Sequence, residues 1–209
     1  MSNITREILL KYWGYTSFRP LQEDIVDSVI NGNDTLALLP TGGGKSICFQ
    51  VPAMTMDGTC IVITPLISLM KDQVLHLRDR GINAGAVFSG MHNREIAAVY
   101  NQAVFGNMKL LYVSPERLIT DGFIDAIMKM KVNLLAIDES HCISQWGYDF
   151  RPPYLKIADI REYIPNAPVL ALTATATPVV VKDIQQRLKF KRDNVFQTSY
   201  ERKNVTYNV

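Results

Sequence analysis

Three consecutive glycines decide the fold; they lie in the stretch LLPTGGGKSICFQ at residues 38–50, between an apolar run and a lysine–serine pair. A glycine triplet is entropically costly and packs no side chain, so it indicates close approach to the main chain or unusual dihedral angles. The apolar run predicts a strand at 35–39, and the residues that follow predict a helix from Lys45. A glycine-rich turn from a strand into a helix is the arrangement that a phosphate-binding loop requires.

The predicted loop begins at Thr41 and reads TGGGKS. Lys45 is predicted to reach the β- and γ-phosphates of a nucleotide, and Ser46 is predicted to ligate Mg²⁺. The full pattern is GxxxxGK[ST], and Leu39 stands where its first glycine would be. The alternative is a glycine-rich turn with an incidental lysine. Four main-chain amides are predicted to point at a β-phosphate: those of Gly42, Gly43, Gly44 and Lys45.

A second candidate site is the stretch VNLLAIDESHC at residues 132–142, where an apolar strand ends in two carboxylates. Asp138 is predicted to hold Mg²⁺, and Glu139 to orient or deprotonate the water that attacks the γ-phosphorus. A DE pair after a strand is a weak signal by itself, because many exposed strand ends carry acids. Together with the upstream glycine loop, the pair indicates phosphoryl transfer and gives His141 a role beyond core packing.

Composition limits the class of protein. The chain has 209 residues, 47% apolar and 20% charged, which fits one large globular domain. No apolar run is long enough for a membrane span, so the sequence predicts a soluble, cytoplasmic protein with no membrane partner. The net charge of +2 does not demand a polyanionic partner, and the basic cluster RLKFKR at 187–192 is typical of a solvated helix end.

Cysteine and histidine spacing predicts no metal site. Cys48, Cys60 and Cys142 lack CxxC spacing and lie in apolar surroundings, so buried thiols are expected. His76 and His92 lie in polar helical stretches without partners at ligand spacing, which favours surface positions for both.

Strands and helices alternate along the chain, which predicts an α/β fold with a mostly parallel sheet covered on both faces. Five polar, small-residue motifs each begin where a predicted strand ends: PTGGGKS, TPLISL, SPERL, DESHC and TATAT. The carboxyl ends of the strands form the ligand crevice of such a sheet, so the motifs are expected at one edge. They are more than a nucleotide pocket needs, which suggests a second ligand or a conformational relay. Seven strands are predicted, at 35–39, 59–64, 84–88, 109–113, 134–137, 169–173 and 195–198. Six helices are predicted, at 20–30, 45–50, 66–80, 92–105, 122–129 and 178–188.

The motifs TGGGKS, TPLISLMKDQ, DESH and LTATAT resemble those of superfamily two helicases, and the DExH form differs from that of DEAD-box proteins. GYTSFRPLQ at 14–22 and SQWGYDFRPPY at 144–154 resemble the adenine-recognition motif and the aromatic-rich loop of RecQ-type DNA helicases. The resemblance implies a RecA-like P-loop domain at 32–198, preceded by a helical extension at 1–31. It also implies that 199–209 begin a linker to a second RecA-like domain in the parent chain.

The resemblance implies that Tyr15 stacks on adenine while Arg19 and Gln22 contact the base or nearby groups. From the residues alone, an ordinary helix start at Pro20, with Phe18 as a hydrophobic anchor, is the favoured interpretation of this stretch, and the resemblance reverses that preference.

Four aromatic residues crowd the second of these stretches, together with glycine and two prolines. Bases of a single strand stack on such rings, and Arg151 is expected to contact a phosphate or a base. The alternative is a small core that pins the loop. Because the loop follows His141 closely, strand binding is expected to reach Glu139 through the histidine, and the resemblance implies such a sensor. The aromatic residues are Trp146, Tyr148, Phe150 and Tyr154.

Residues at the ends of other β-strands are predicted to couple DNA binding to hydrolysis or to line the path of the bound single-stranded DNA. Thr173 and Thr175 in TATAT suit a hydrogen-bonded hinge, although a threonine-rich helix cap before Pro178 is nearly as good an interpretation. Residues of TPLISLMKDQ and YVSPERL are expected to position phosphates without reading sequence. The residues concerned are Pro65, Leu66, Lys71 and Arg117.

The resemblance implies an ATP-dependent DNA helicase that uses ATP and Mg²⁺, acts on single-stranded and partly duplex DNA, and moves 3′ to 5′. In a bacterium it would be associated with the nucleoid. An arginine from the second RecA-like domain completes the ATP site in such enzymes, so the chain by itself is expected to hydrolyse ATP very slowly and to unwind nothing. Two other classes stay open: an RNA helicase or remodelling translocase, and a nucleotide-dependent binding module without turnover.

Overall fold

Runs of aliphatic and β-branched residues form all seven predicted strands in the computed structural model, which describes residues 2–197. The predicted end of the last strand, Thr198, and the predicted linker at 199–209 lie outside the described residues. The strands are β1 (Thr35–Leu38), β2 (Thr59–Ile63), β3 (Ala84–Val87), β4 (Leu110–Val113), β5 (Val132–Ile137), β6 (Val169–Thr173) and β7 (Val195–Gln197).

The strands form one sheet in which every pairing is parallel, in the order β3-β4-β2-β5-β6-β1-β7. Parallel pairing places all the carboxyl ends at one edge, as the sequence predicts. Only β6 separates β1 from β5, so the ends of these two strands lie about 10 Å apart at the usual strand spacing. The glycine loop that follows β1 and the acidic pair that follows β5 are therefore held near each other.

Helices cover both faces of the sheet, and alternate residues of each strand feed two separate cores. On β2, for example, Ile61 and Ile63 pack beneath α5–α8, while Cys60 and Val62 pack beneath α2–α4. All three cysteines are buried as free thiols, which confirms the prediction. The helices are α1 (Ser2–Trp13), α2 (Gln22–Ile30), α3 (Ile47–Thr55), α4 (Ile67–Asp79), α5 (Asn93–Phe105), α6 (Asp121–Ile127), α7 (Ile157–Ile160) and α8 (Pro178–Arg187).

Two local predictions are wrong. The helix after the glycine loop begins at Ile47 rather than Lys45 and continues to Thr55, with Pro52 inside it. Residues 40–46 form the turn, and Pro52 lacks only one main-chain hydrogen bond while its ring is buried. Helix α7 and three 3-10 turns at Pro115–Arg117, Ser140–Ile143 and Pro152–Lys156 were not predicted, because so few residues give no hydrophobic period.

The N-terminal helices pack against α3. Leu9 of α1 and Val26 of α2 form a small core with Ile47 and Val51 of α3. This core fixes the start of α2 beside the glycine loop. None of the helices between residues 2 and 197 is long and apolar enough to cross a membrane.

A buried aspartate joins four segments at the opposite edge of the sheet. The Asp34 carboxylate, just before β1, accepts two hydrogen bonds from the Arg161 guanidinium, at 3.1 and 2.9 Å. It also accepts one from the amide of Val169, where β6 begins, and one from the amide of Lys191, both at 3.0 Å. Arg161 and Asp34 are both largely buried, so this ion pair is part of the interior.

Candidate active site

Two positions of the glycine loop require glycine, one for its backbone conformation and the other for both its conformation and the lack of room for a side chain. Gly42 and Gly44 have φ angles of 76° and 77°, in the left-handed region that side chains disfavour. A Cβ on Gly44 would lie 2.4 Å from Nε2 of Gln22, whereas one on Gly42 would meet nothing within 4 Å. Over residues 2–197, the amides of Gly44, Lys45 and Ser46 donate to no main-chain carbonyl. These three donors are therefore available to an anionic ligand, whereas the prediction for Gly43 is wrong, because its amide donates to the carbonyl of Pro40 at 2.9 Å.

The segment before α2 holds the loop in place. Arg19 donates from its guanidinium to the carbonyl of Gly42 at 2.6 Å. Gln22 donates from Nε2 to the carbonyls of Gly43 and Gly44, at 3.3 and 3.0 Å. Its Oε1 accepts the amide of Arg19 at 2.9 Å. Arg19 and Gln22 thus contact the loop itself, a role that the sequence did not indicate.

A cavity of about 310 Å³ opens beside this segment. Tyr15 lines it and is 52% exposed, so one ring face is accessible for stacking. Gly44 and Ser46 line the same cavity, which therefore connects to the glycine loop. Phe18 packs against the small N-terminal core, so the hydrophobic anchor and the candidate base site coexist in one segment. The other lining residues include Trp13, Arg19, Gln22, Gln50, His76 and Arg80.

The acidic pair lies at the end of β5 in a constrained conformation. The amide of Asp138 donates to the carbonyl of Ile63 at 2.8 Å, and its carboxylate accepts the amide of Glu139 at 3.0 Å. Glu139 has a φ of 48°, unusual for a residue with a side chain. The Tyr154 hydroxyl, wholly buried, donates to the Asp138 carbonyl at 3.0 Å and fixes the peptide group between the two acids.

Charges from separate parts of the chain converge here. Burial raises the pKa of Asp138 to about 6; the neighbouring Glu139 adds to the increase, and the ammonium of Lys45 opposes it. The pKa of His141 is lowered mainly by burial, and the ammonium of Lys45 lowers it further. Lys45, Asp138, Glu139 and His141 therefore share one electrostatic environment, as the strand order requires.

His141 links Glu139 to β6. Its Nδ1 lies 2.9 Å from the hydroxyl of Thr173 and 3.3 Å from Oε2 of Glu139. The Thr173 hydroxyl donates its proton to the carbonyl of Thr175 at 3.1 Å, so it accepts from the histidine. The hydrogen-bond network therefore assigns the proton of the neutral imidazole to Nδ1. Of the remaining threonines of TATAT, Thr177 caps α8 through the amide of Val180, so the two interpretations of that motif apply to different residues.

The aromatic loop, residues 144–154, divides into exposed and buried parts. Trp146 is 74% exposed and Tyr148 is 77% exposed, yet the Tyr148 ring stacks on His141 with centroids 4.6 Å apart. Phe150 and Arg151 are half-buried, and Arg151 binds the carboxylate of Asp149 at 3.0 and 3.2 Å. Tyr154 is wholly buried, so the expectation that it stacks on a base is wrong. The loop thus presents two exposed rings, while Tyr154 is part of a main hydrophobic core of the domain.

The remaining predicted strand-path residues lie at the ends of β2, β3 and β4. Lys71 places its ammonium 4.9 Å from the centre of the Phe88 ring, and Arg117 donates to the Phe88 carbonyl at 3.3 Å. Pro65 is half-buried and Leu66 is exposed. The sheet edge is therefore divided, with these residues on one half and the glycine loop and acidic pair on the other.

The sequence indicated the residues of the site itself but not the contacts that surround them. Tyr148 was expected only as one ring among four, and its stacking on His141 depends on the turn of the loop. Asp149 and Cys142 contact each other at 3.6 Å, which their spacing did not indicate. His76 and His92 are exposed, as predicted.

The residues at the end of β1 and β5 fit a nucleotide with Mg²⁺. Free loop amides and Lys45 suit phosphate oxygens, and the Ser46 hydroxyl caps no amide of α3. Asp138 supplies the hard oxygen ligand that Mg²⁺ prefers. Ser46 and Asp138 are therefore the residues that would hold the metal ion.

Comparison with known proteins agrees with this geometry. The sequence profile of the DEAD/DEAH box helicase family matches residues 19–184. The chain is 44% identical over 202 residues to the ATP-dependent DNA helicase RecQ of Haemophilus influenzae, covering 97% of the chain and 33% of that protein. It is 46% identical over 211 residues to RecQ of Bacillus subtilis, covering all of the chain and 36% of that protein. The chain thus spans about a third of the length of these relatives.

A solved structure shares the fold at low sequence identity. The hypothetical ATP-dependent RNA helicase from Sulfolobus tokodaii superposes with a TM-score of 0.70 at 18% identity, covering 95% of the chain and 57% of that protein. The sheet is thus that of a RecA-like helicase domain. The chain belongs to the DEAD/DEAH box helicase family.

Proposed function

We propose that the chain is the first motor domain of an ATP-dependent DNA helicase. One observation carries the proposal: Lys45 shares an electrostatic environment with Asp138, Glu139 and His141, although the glycine loop and the acidic pair are far apart in sequence. Phosphoryl transfer needs a phosphate cradle, a metal ligand and a group that positions water at one place. The site provides each of these from residues of its own.

The residues are assigned as follows in this proposal. The loop amides and Lys45 hold the β- and γ-phosphates, and Ser46 and Asp138 hold Mg²⁺, which when bound offsets the charge that develops on the phosphates. Glu139 positions the attacking water and accepts its proton. His141 gives its Nδ1 proton to Thr173, and the same nitrogen lies 3.3 Å from Oε2 of Glu139, so the fixed ring packs beside the carboxylate that positions the water. Tyr15 stacks on the base, and Arg19 and Gln22 keep the loop ready for the phosphates.

Single-stranded DNA is the proposed second ligand. Trp146 and Tyr148 offer exposed rings on which bases can stack, and Tyr148 already touches His141. A base that displaces Tyr148 would free one face of His141, which contacts Glu139. Thr173 and Thr175 extend the same hydrogen-bonded chain toward α8. Binding at the loop is thereby coupled to the water-positioning carboxylate.

The chain spans about a third of the length of the two RecQ relatives, and the proposal extends to a longer protein that contains it. That protein would move 3′ to 5′ on single-stranded and partly duplex DNA, act in the cytoplasm or on a nucleoid, and use a second RecA-like domain to complete the ATP site. The chain alone is then expected to bind ATP and to hydrolyse it slowly, because an arginine finger contributes about 10³- to 10⁵-fold in rate.

The test compares ATP hydrolysis by the longer protein with single-stranded DNA, with RNA and with neither. DNA should stimulate hydrolysis strongly, and Trp146→Ala should lose the stimulation while keeping the basal rate. Phe105→Ala is the matched control, since Phe105 is a highly exposed ring at the end of α5. Preference for RNA would instead identify an RNA helicase or translocase. An unchanged rate in Glu139→Gln would remove Glu139 from catalysis.

A further inference from the structure

Three different metal-ligating side chains meet beside the active site, and the proposed function uses only one of them. They are His141 and Cys142, both buried, and Asp149, which is half-buried at the loop surface. One ligand atom from each lies within 4.8 Å of the other two. In the described part of the chain, this is the one group of three such residues with that spacing.

The spacing of the ligand atoms matches a tetrahedral site. Sγ of Cys142 lies 3.8 Å from Nε2 of His141 and 3.6 Å from Oδ2 of Asp149. Zinc bonds of about 2.3 Å to sulfur and about 2.0 Å to nitrogen or oxygen, at tetrahedral angles, separate ligand atoms by about 3.3–3.6 Å. Shifts of a few tenths of an ångström at the sulfur, with some closure between His141 and Asp149, would bring the atoms to these separations.

The histidine presents the correct nitrogen. Nδ1 carries the proton and donates it toward Thr173 and Glu139, so the lone pair of Nε2 faces the Cys142 sulfur. Ligating histidines usually donate their other N–H to a carboxylate, a carbonyl or water, which fixes the ring and raises its basicity. His141 has such support already, from a hydroxyl and a carboxylate.

We propose that His141, Cys142 and Asp149 form a binding site for a zinc-like divalent cation, with water as the fourth ligand. Thiolate, imidazole and carboxylate together favour Zn²⁺ or Co²⁺ over Mg²⁺, which prefers oxygen ligands. On binding, the Cys142 thiol gives its proton to solvent and the thiolate coordinates the ion. The exposed side of Asp149 provides the route of entry.

Arg151 competes for the same carboxylate. Its guanidinium donates to Oδ2 of Asp149 at 3.0 and 3.2 Å, so this oxygen must be released or shared when the ion binds. Removing the guanidinium should therefore free this oxygen and tighten metal binding.

Occupancy would restrain the active site. The ion would fasten Asp149 of the aromatic loop to His141, whose other nitrogen contacts Glu139. The loop would then lose its freedom to move when DNA binds. The site would act as a metal-dependent brake on coupling, although its existence does not depend on helicase activity.

The test uses the 209-residue chain and Co²⁺, followed by ultraviolet and visible absorption. A saturable thiolate-to-cobalt band with tetrahedral ligand-field bands, displaced by Zn²⁺, is expected. Cys142→Ser should abolish the thiolate band, whereas Cys48→Ala should keep it, since Cys48 is buried away from the cluster and the chain has only three cysteines. A thiolate band that survives Cys142→Ser, or no band in the unaltered chain, would overturn the proposal.

Two exposed-side variants keep the test valid if Cys142→Ser fails to fold. Asp149→Asn should weaken Co²⁺ binding by roughly tenfold or more. Arg151→Ala should strengthen it, and equal affinity in both variants would refute the assignment. Binding of Zn²⁺ by calorimetry should follow the same order.

Discussion

At the scale of single residues, the site is built from groups kept in unfavourable states. Asp138 is a carboxylate enclosed by protein and next to a second carboxylate, which raises its pKa to about 6. Glu139 is held in a left-handed conformation. Such features cost stability and persist where the surrounding structure imposes them.

Replacing Asp138 with asparagine should therefore stabilise the fold. The native pKa lies above the ordinary value of 3.8, so the native state holds a proton between about pH 4 and 6 that the unfolded chain has lost. The destabilising effect of the carboxylate therefore grows from about pH 4 to about pH 6 and is complete above that, and Asp138→Asn should raise the free energy of unfolding at pH 7 by about 1–3 kcal/mol. The gain should disappear below about pH 4. Urea unfolding with EDTA present measures it.

The matched control is Asp149→Asn. Hydrogen bonding to Arg151 lowers the pKa of Asp149, so this substitution should slightly destabilise the chain at pH 7. A loss of stability in Asp138→Asn would contradict the assigned burial cost. Asparagine can still accept the amide of residue 139, so that hydrogen bond does not confound the comparison.

Tyr154 provides a second residue-scale prediction. Its hydroxyl fixes the Asp138 carbonyl, and with it the strained peptide before Glu139. Tyr154→Phe in the longer protein should lower kcat for DNA-stimulated ATP hydrolysis by roughly tenfold and leave KM for ATP nearly unchanged, because one hydrogen bond of about 1 kcal/mol positions a group that acts after binding.

The control for Tyr154→Phe is Tyr100→Phe, a buried ring on α5 that packs against Phe123. Steady-state rates over a range of ATP concentrations separate the two parameters. A change confined to KM, or an equal change in both variants, would remove Tyr154 from the positioning of the acids.

At the scale of elements, the glycine loop depends on two different properties of glycine. Gly44→Ala adds both backbone strain and a clash with Gln22, while Gly42→Ala adds strain alone, because the space beside it is open. Gly44→Ala should weaken binding of a fluorescent ATP analogue by more than about tenfold relative to Gly42→Ala, since displacing Gln22 also removes its hydrogen bonds to the loop. Fluorescence anisotropy measures both affinities, and the reverse order would contradict the assignment.

Strands and long helices were predictable because their periods repeat over many residues. The runs that became β2 and β5 are continuous and apolar, as buried parallel strands require. Helix α7 has four residues and two adjoining turns begin at serine or proline, so no period exists to detect. The start of α3 was placed two residues early because Lys45 and Ser46 belong to the turn in this loop.

The sequence indicated which residues lie near one another in the site, but not the hydrogen bonds and ring contacts that they make. The motifs indicate that the glycine loop and the acidic pair share one edge of the sheet, whereas the strand order that leaves only β6 between them was not predicted. The bonds of Arg19 and Gln22 to the loop, by contrast, arise from the path of the chain into α2, whose N-cap residue, Leu21, has a φ of 66°. The stacking of Tyr148 on His141 likewise follows from loop geometry that no local pattern encodes.

At the scale of the whole molecule, Asp34 joins parts of the chain that are far apart in sequence. Asp34→Ala should cost about 3–5 kcal/mol in the free energy of unfolding, because it leaves Arg161 unpaired in the interior and two amides without their acceptor. Urea unfolding followed by circular dichroism measures the loss. Asp57→Ala removes an exposed ion pair with Lys131 and should cause no measurable change in the free energy of unfolding. Equal losses of stability in Asp34→Ala and Asp57→Ala would contradict the interior role of Asp34.

The divided sheet edge has a mechanical consequence. Main-chain hydrogen bonds fix the spacing of neighbouring strands. Phe88 at the end of β3 and the glycine loop at the end of β1 are therefore held at a constant distance by one rigid sheet. In the proposed motor, movement inside this domain would therefore belong to segments that follow the strands, above all residues 145–149 of the aromatic loop. The core serves as the fixed frame against which those residues move.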